Sequence, residues 1–134
     1  MTGQCLCGAV KYTADGVETD HHACHCGMCR RWAGGSALFC AATKSVRFEG
    51  EANISRYASS EWAERGFCKQ CGTALFYFLK PTATFMMSVG TFDEPEGFQL
   101  SRELFIDRKP PGYAFVGDHE RWTEAETFAR LTPA

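Results

Sequence analysis

The chain has 134 residues, a formal charge of −2 and 14 lysines and arginines spread along its length, which suits one folded domain over residues 1–134 with its own core. That dispersed charge argues against a nucleic-acid partner, and no apolar run approaches the roughly 18 residues of a membrane-spanning helix. The opening MTGQCLCGAV lacks the basic and apolar regions of a secretory leader, so a cytoplasmic protein is expected.

In chain order the sequence reads mostly as short strands separated by Gly, Asp, Ser and Pro breaks. GAVKYT (8–13) alternates, with Val10 and Tyr12 on one face. SALFCA (36–41), SVRFEG (45–50) and NISRYAS (53–59) follow, then TALFYFL (73–79), where Phe76 and Phe78 face one way and Leu75 and Tyr77 the other. TFMMSVGTF (84–92) and ELFID (103–107) complete an antiparallel β pattern with little helix. DRKPPGYAFVGD (107–118) reads as a surface loop turned by Pro110, Pro111 and Gly112. A short helical turn fits after Cys29. The longer helix expected is TEAETFARL, where Thr123 caps the first turn and Glu126 sits three residues on, as in a capping box.

Eight cysteines are many for such a chain, and seven fall into three tight motifs: Cys5-x-Cys7, Cys24-x-Cys26-x-x-Cys29 and Cys68-x-x-Cys71. In a reducing compartment such clusters are metal ligands or catalysts rather than disulfides. On an extended strand Cys5 and Cys7 point to one side, while CKQCG is a zinc-knuckle turn with Gly72 supplying the backbone freedom. Together they make the closed four-thiolate set of a structural zinc, clipping two parts of the chain across roughly 60 residues. The triplet Cys24, Cys26 and Cys29 makes three ligands, the number a catalytic zinc keeps while leaving a fourth position open and holding its metal less firmly. Three thiolates make that zinc a poor Lewis acid for hydrolysis but a good holder of another thiol as thiolate. The alternatives are a second closed site, with Cys40, His22 or His25 as fourth ligand, or a metal-free reactive cysteine. Cys40 lies in an apolar run and reads as core, and His25 would point away from its neighbours in a strand. His22, two residues before Cys24, is the more credible fourth ligand.

The order C-x-C, C-H-C-x-x-C and RGFCKQCGTALFY resembles the glutathione-dependent formaldehyde-activating enzyme family, which also includes the domain of centromere protein V. The resemblance implies an Mss4-like fold of antiparallel β-sheets arranged as a tent or sandwich. It implies a structural zinc on Cys5, Cys7, Cys68 and Cys71 and a catalytic zinc on Cys24, Cys26 and Cys29. It also implies carbon–sulfur lyase chemistry on a thiol–aldehyde adduct, such as S-hydroxymethylglutathione made from glutathione and formaldehyde. The substrate sulfur would take the open zinc position and attack the aldehyde carbon, with His22, His25 or Asp93 as base or proton path. Arg30 and Arg31 are the candidates for the carboxylates of glutathione. Trp32, Phe39 and Phe76 read as core or pocket wall. The competing class is a non-enzymatic zinc-binding interaction module in which both metal sites are structural.

Overall fold

The structure, a computed structural model, describes residues 1–131, and the last three positions of the expected 1–134 domain lie outside it. The described residues form, in order, β1 (Thr2–Gln4), β2 (Lys11–Asp15), β3 (Asp20–Cys24), α1 (Gly27–Ala33), β4 (Leu38–Ala42), β5 (Ser45–Glu49), β6 (Ile54–Ala58), β7 (Ala63–Cys68), β8 (Ala74–Leu79), β9 (Thr84–Ser88), β10 (Gln99–Leu104), β11 (Glu120–Arg121) and α2 (Glu124–Leu131). The mainly β class with little helix is therefore the one the chain adopts. Contacts divide it into two units, the first of residues 1–19 and 40–98 and the second of residues 20–39 and 99 onward.

The first unit is antiparallel throughout. β2 lies between β1 and β5, with Tyr12 opposite Gly3 on one side and Phe48 on the other. A second run places β9 between β4 and β8, and β7 between β8 and β6. The alternation read in GAVKYT holds, since Val10 and Tyr12 are both buried with Leu75, Phe76, Met87 and Phe92. Burying each such side chain contributes about 1.5–3 kcal/mol. Phe76 lies so close over β7 that a Cβ on Gly66 would come within 2.2 Å of its ring. The Tyr12 hydroxyl donates to Thr91 Oγ1 at 2.7 Å, because Thr91 gives its own proton to the Ser88 carbonyl at 2.7 Å. That buried phenol is thus satisfied at the price of one hydroxyl chain.

The second unit departs from the antiparallel expectation. β10 pairs in parallel with both β3 and β11, putting Arg102 opposite His22 and Glu103 opposite Ala23. No hairpin joins β3 to β10; the chain reaches β10 only after passing through the first unit, and parallel pairing needs such a long connection. The strand expected over 103–107 begins earlier and stops at Leu104, where Phe105 takes a left-handed conformation before a 3-10 turn over Ile106–Arg108. The strand expected over 84–92 likewise stops at Ser88 and gives way to a 3-10 turn. α2 starts as the sequence requires: Thr123 N–H donates to Glu126 Oε1 at 3.1 Å, and Glu126 N–H to Thr123 Oγ1 at 3.2 Å.

Candidate metal centres

The β1–β2 loop carries Cys5 and Cys7, and the end of β7 with the loop to β8 carries Cys68 and Cys71; the four sulfurs all lie within 4.8 Å of one another. Cys5 and Cys7 are not on a strand, as expected from the sequence, but in a tight turn closed by Gly8 N–H to the Cys5 carbonyl at 3.2 Å. The turn is what aims both sulfurs together, and Gly8 accommodates it at φ 80°. The knuckle is built as expected, with Gly72 N–H on the Cys68 carbonyl at 2.8 Å and Gln70 N–H on Cys68 Sγ at 3.4 Å. A further N–H, from Val10, reaches Cys5 Sγ at 3.3 Å. The Thr73 hydroxyl, 3.2 Å from Cys71 Sγ, helps bring that thiol down to about 5. Donors aimed at sulfur favour thiolates, and four soft thiolates in one small volume match tetrahedral zinc.

The inner three cysteines gather where β3 gives way to α1. Cys24 ends the strand, Cys26 is the N-cap of α1, and Cys29 is buried in its first turn. Cys26 Sγ accepts the Cys29 N–H at 3.3 Å, so the helix start itself folds the C-x-x-C segment back on its first sulfur. The three sulfurs lie within 4.8 Å of one another, and among the described residues no histidine or carboxylate joins them in that group. Hydrogen bonds from Cys24 and Cys29 hold the Cys26 thiol far below its ordinary value, while the same sharing pushes Cys24 up. This set also fits a soft metal, with one protein ligand fewer than the outer set.

The other sequence candidates are distributed around these two groups. Arg30 is half-buried and its Nε donates to the His25 carbonyl at 2.9 Å, whereas Arg31 is exposed on the same last turn of α1. His22 is half-buried, with Nε2 3.2 Å from Arg102 Nη1. Asp93 belongs to the first unit and accepts the Thr2 hydroxyl at 2.7 Å. Cys40 is buried on β4 opposite Ser88. Phe76 is core, while Phe39 packs against the rings of His21 and Phe115.

Around His25 the structure brings in residues that sequence reasoning did not single out. His25 Nε2 meets Glu103 Oε1 at 2.6 Å, and the other Glu103 oxygen takes His119 Nε2 at 2.5 Å and Arg121 Nε at 3.0 Å. His25 Nδ1 lies 2.9 Å from the Tyr113 hydroxyl, which in turn bonds the Ser36 carbonyl. Burial pushes the Glu103 carboxyl up, but the hydrogen bonds from His119 and His25 outweigh it and hold the group below its ordinary value. An ionised Glu103 is acceptor-only, which makes Nε2 the protonated nitrogen of both imidazoles at this contact. His119 also lines an open cavity of about 640 Å³ with Asp20, Ser101 and Asp118.

The chain is similar to known proteins over most of its length. The profile of the family described as glutathione-dependent formaldehyde-activating enzyme matches residues 1–108, which hold all seven clustered cysteines. The chain belongs to the glutathione-dependent formaldehyde-activating enzyme family. An uncharacterized lyase of Schizosaccharomyces pombe is 31% identical over 130 residues, covering 96% of this chain and 95% of its own. A crystal structure of a Rhodobacter sphaeroides protein shares the fold at 21% identity and a TM-score of 0.62, covering 92% of this chain and 100% of its own. For a formaldehyde-activating family member, the two cysteine groups are able to hold metal ions.

Proposed function

We propose that this chain is a zinc-dependent carbon–sulfur lyase working in the cytoplasm as one zinc-binding domain over residues 1–134. Its substrate would be a thiol–aldehyde adduct, S-hydroxymethylglutathione being the case that glutathione and formaldehyde would form. The observation that carries the reading is the convergence of Cys24, Cys26 and Cys29 within 4.8 Å in a chain of the formaldehyde-activating family. The relative named a lyase in Schizosaccharomyces pombe supports the reaction class.

Zinc held by the triplet would supply a site where a substrate sulfur stays deprotonated at neutral pH. The outer set Cys5, Cys7, Cys68 and Cys71 would hold a second, structural zinc that ties two hairpins together. The net reaction is balanced without an oxidant or further reactant. A sulfur–carbon bond forms, the carbonyl π pair moves onto oxygen, and the proton released by the thiol ends there; the reverse releases aldehyde and thiol. Moving that proton requires one carrier. We assign the role to His22, which stands two residues before Cys24 and so on the same face of β3. Arg30, fixed through Nε, offers its terminal nitrogens to a substrate carboxylate, and exposed Arg31 adds attraction at the rim.

The test is exchange between free and adduct glutathione followed by NMR in the presence of formaldehyde. The wild type accelerates it over the uncatalysed rate, and Cys29→Ser loses that acceleration while keeping the wild-type circular dichroism. Undiminished exchange in the folded variant would remove the triplet from the mechanism.

A further inference from the structure

We propose that Glu103 is a positioning residue for the three-sulfur site, acting through His25. The inference rests on the reading that Cys24, Cys26 and Cys29 hold a metal. His25 is the middle residue of Cys24-x-Cys26, so whatever fixes it fixes the backbone that presents two of the three sulfurs. Every polar atom of His25 is engaged. Its N–H donates to the Leu104 carbonyl at 3.1 Å and its carbonyl accepts Arg30 Nε at 2.9 Å. Its ring nitrogens meet Glu103 at 2.6 Å and Tyr113 at 2.9 Å. The ring itself is fully buried and stacks on Phe115 at 5.6 Å between centroids.

Glu103 is the residue on which this arrangement depends. Its side chain is 1% exposed and accepts from three groups, two of them on the segment that follows β10. Arg121 extends the hold, donating through its terminal nitrogens to the carbonyls of Phe115, Gly117 and His119. One carboxylate on β10 therefore joins His25, just after β3, to His119 and Arg121. Convergent sulfurs repel as they ionise, and a backbone held at every polar atom resists the spreading that would relieve this. Such outer partners are what orient metal ligands in general, and losing one lowers metal affinity by roughly 10–100-fold. Glu103 lies within the residues matched to the family, whereas Tyr113, His119 and Arg121 lie beyond them.

The experiment loads the full-length protein with cobalt(II), whose thiolate charge-transfer absorption reports each sulfur set, and titrates it against a chelator. The wild type takes up two ions, and Glu103→Gln is expected to weaken the second by roughly 10–100-fold with a shifted band. The four-cysteine site serves as internal control and keeps its affinity and spectrum, which a loss of overall structure would not allow. Tyr113→Phe, which removes one hydroxyl, shifts the same band in the same direction by less. Unchanged second-site affinity and absorption in Glu103→Gln, or in Tyr113→Phe should the first variant not fold, would overturn the proposal. Uptake of one ion by the wild type would instead remove the metal reading of the triplet, and the positioning role with it.

Discussion

Gly66 and Phe76 show how narrowly the core of the first unit is fitted. The ring lies where any side chain on β7 at position 66 would have to go. Gly66→Ala forces one of the two to move, and overpacking of this kind costs about 1–3 kcal/mol. Urea unfolding should show that loss as a lower midpoint at unchanged slope. Glu103 governs a different property. Its carboxyl is below the ordinary value in the folded chain, so its contribution is complete above the unfolded carboxylate pKa and lost as pH falls through the folded one. The stability difference between wild type and Glu103→Gln should therefore shrink as pH falls below about 4. Urea midpoints on either side of that pH check the sign, since a gap that widened in acid would contradict it.

Among the elements, α2 is the one whose start was readable letter by letter. Thr123 and Glu126 satisfy each other's backbone N–H reciprocally, and Phe128 on the same helix meets Phe105 edge-on at 5.5 Å. Thr123→Ala should cost about 1 kcal/mol and loosen this helix alone, visible as faster amide exchange over 124–130. β2, β5, β8 and β9 were legible for a similar reason, since their aromatic and β-branched alternation is local, though the stretch read for β9 ran on past Ser88. β1 and β3 were not, because TGQ and DHHAC carry no apolar alternation and are strands by virtue of the partners they pair with. Parallel pairing of β3 with β10 leaves no local mark at all. The same limit applies to the sites. Spacing revealed which cysteines belong together, but not that Cys5 and Cys7 are aimed by a turn. Glu103 looked like one polar residue in ELFID; its partner His25 is 78 positions away, and that separation hides the pairing from any window on the sequence.

At the scale of the molecule, each unit carries its own cysteine set, four in the first and three in the second. The two proposed metals should therefore differ in what they do. Cys68→Ser opens the set that joins two hairpins and should leave the first unit unfolded or severely destabilised, whereas Cys29→Ser should remain folded and lose one metal. Thermal unfolding with metal analysis of both variants distinguishes these outcomes; equal destabilisation would argue that both sites are structural. The proposed chemistry requires that the triplet hold zinc with room for a thiol. Its most direct test is zinc stoichiometry under reducing conditions, followed by glutathione titration at the zinc X-ray absorption edge. Two zincs per chain, with the average sulfur coordination rising on titration in the wild type but not in Cys29→Ser, is the predicted result. Two zincs whose edge does not respond to glutathione would contradict the account.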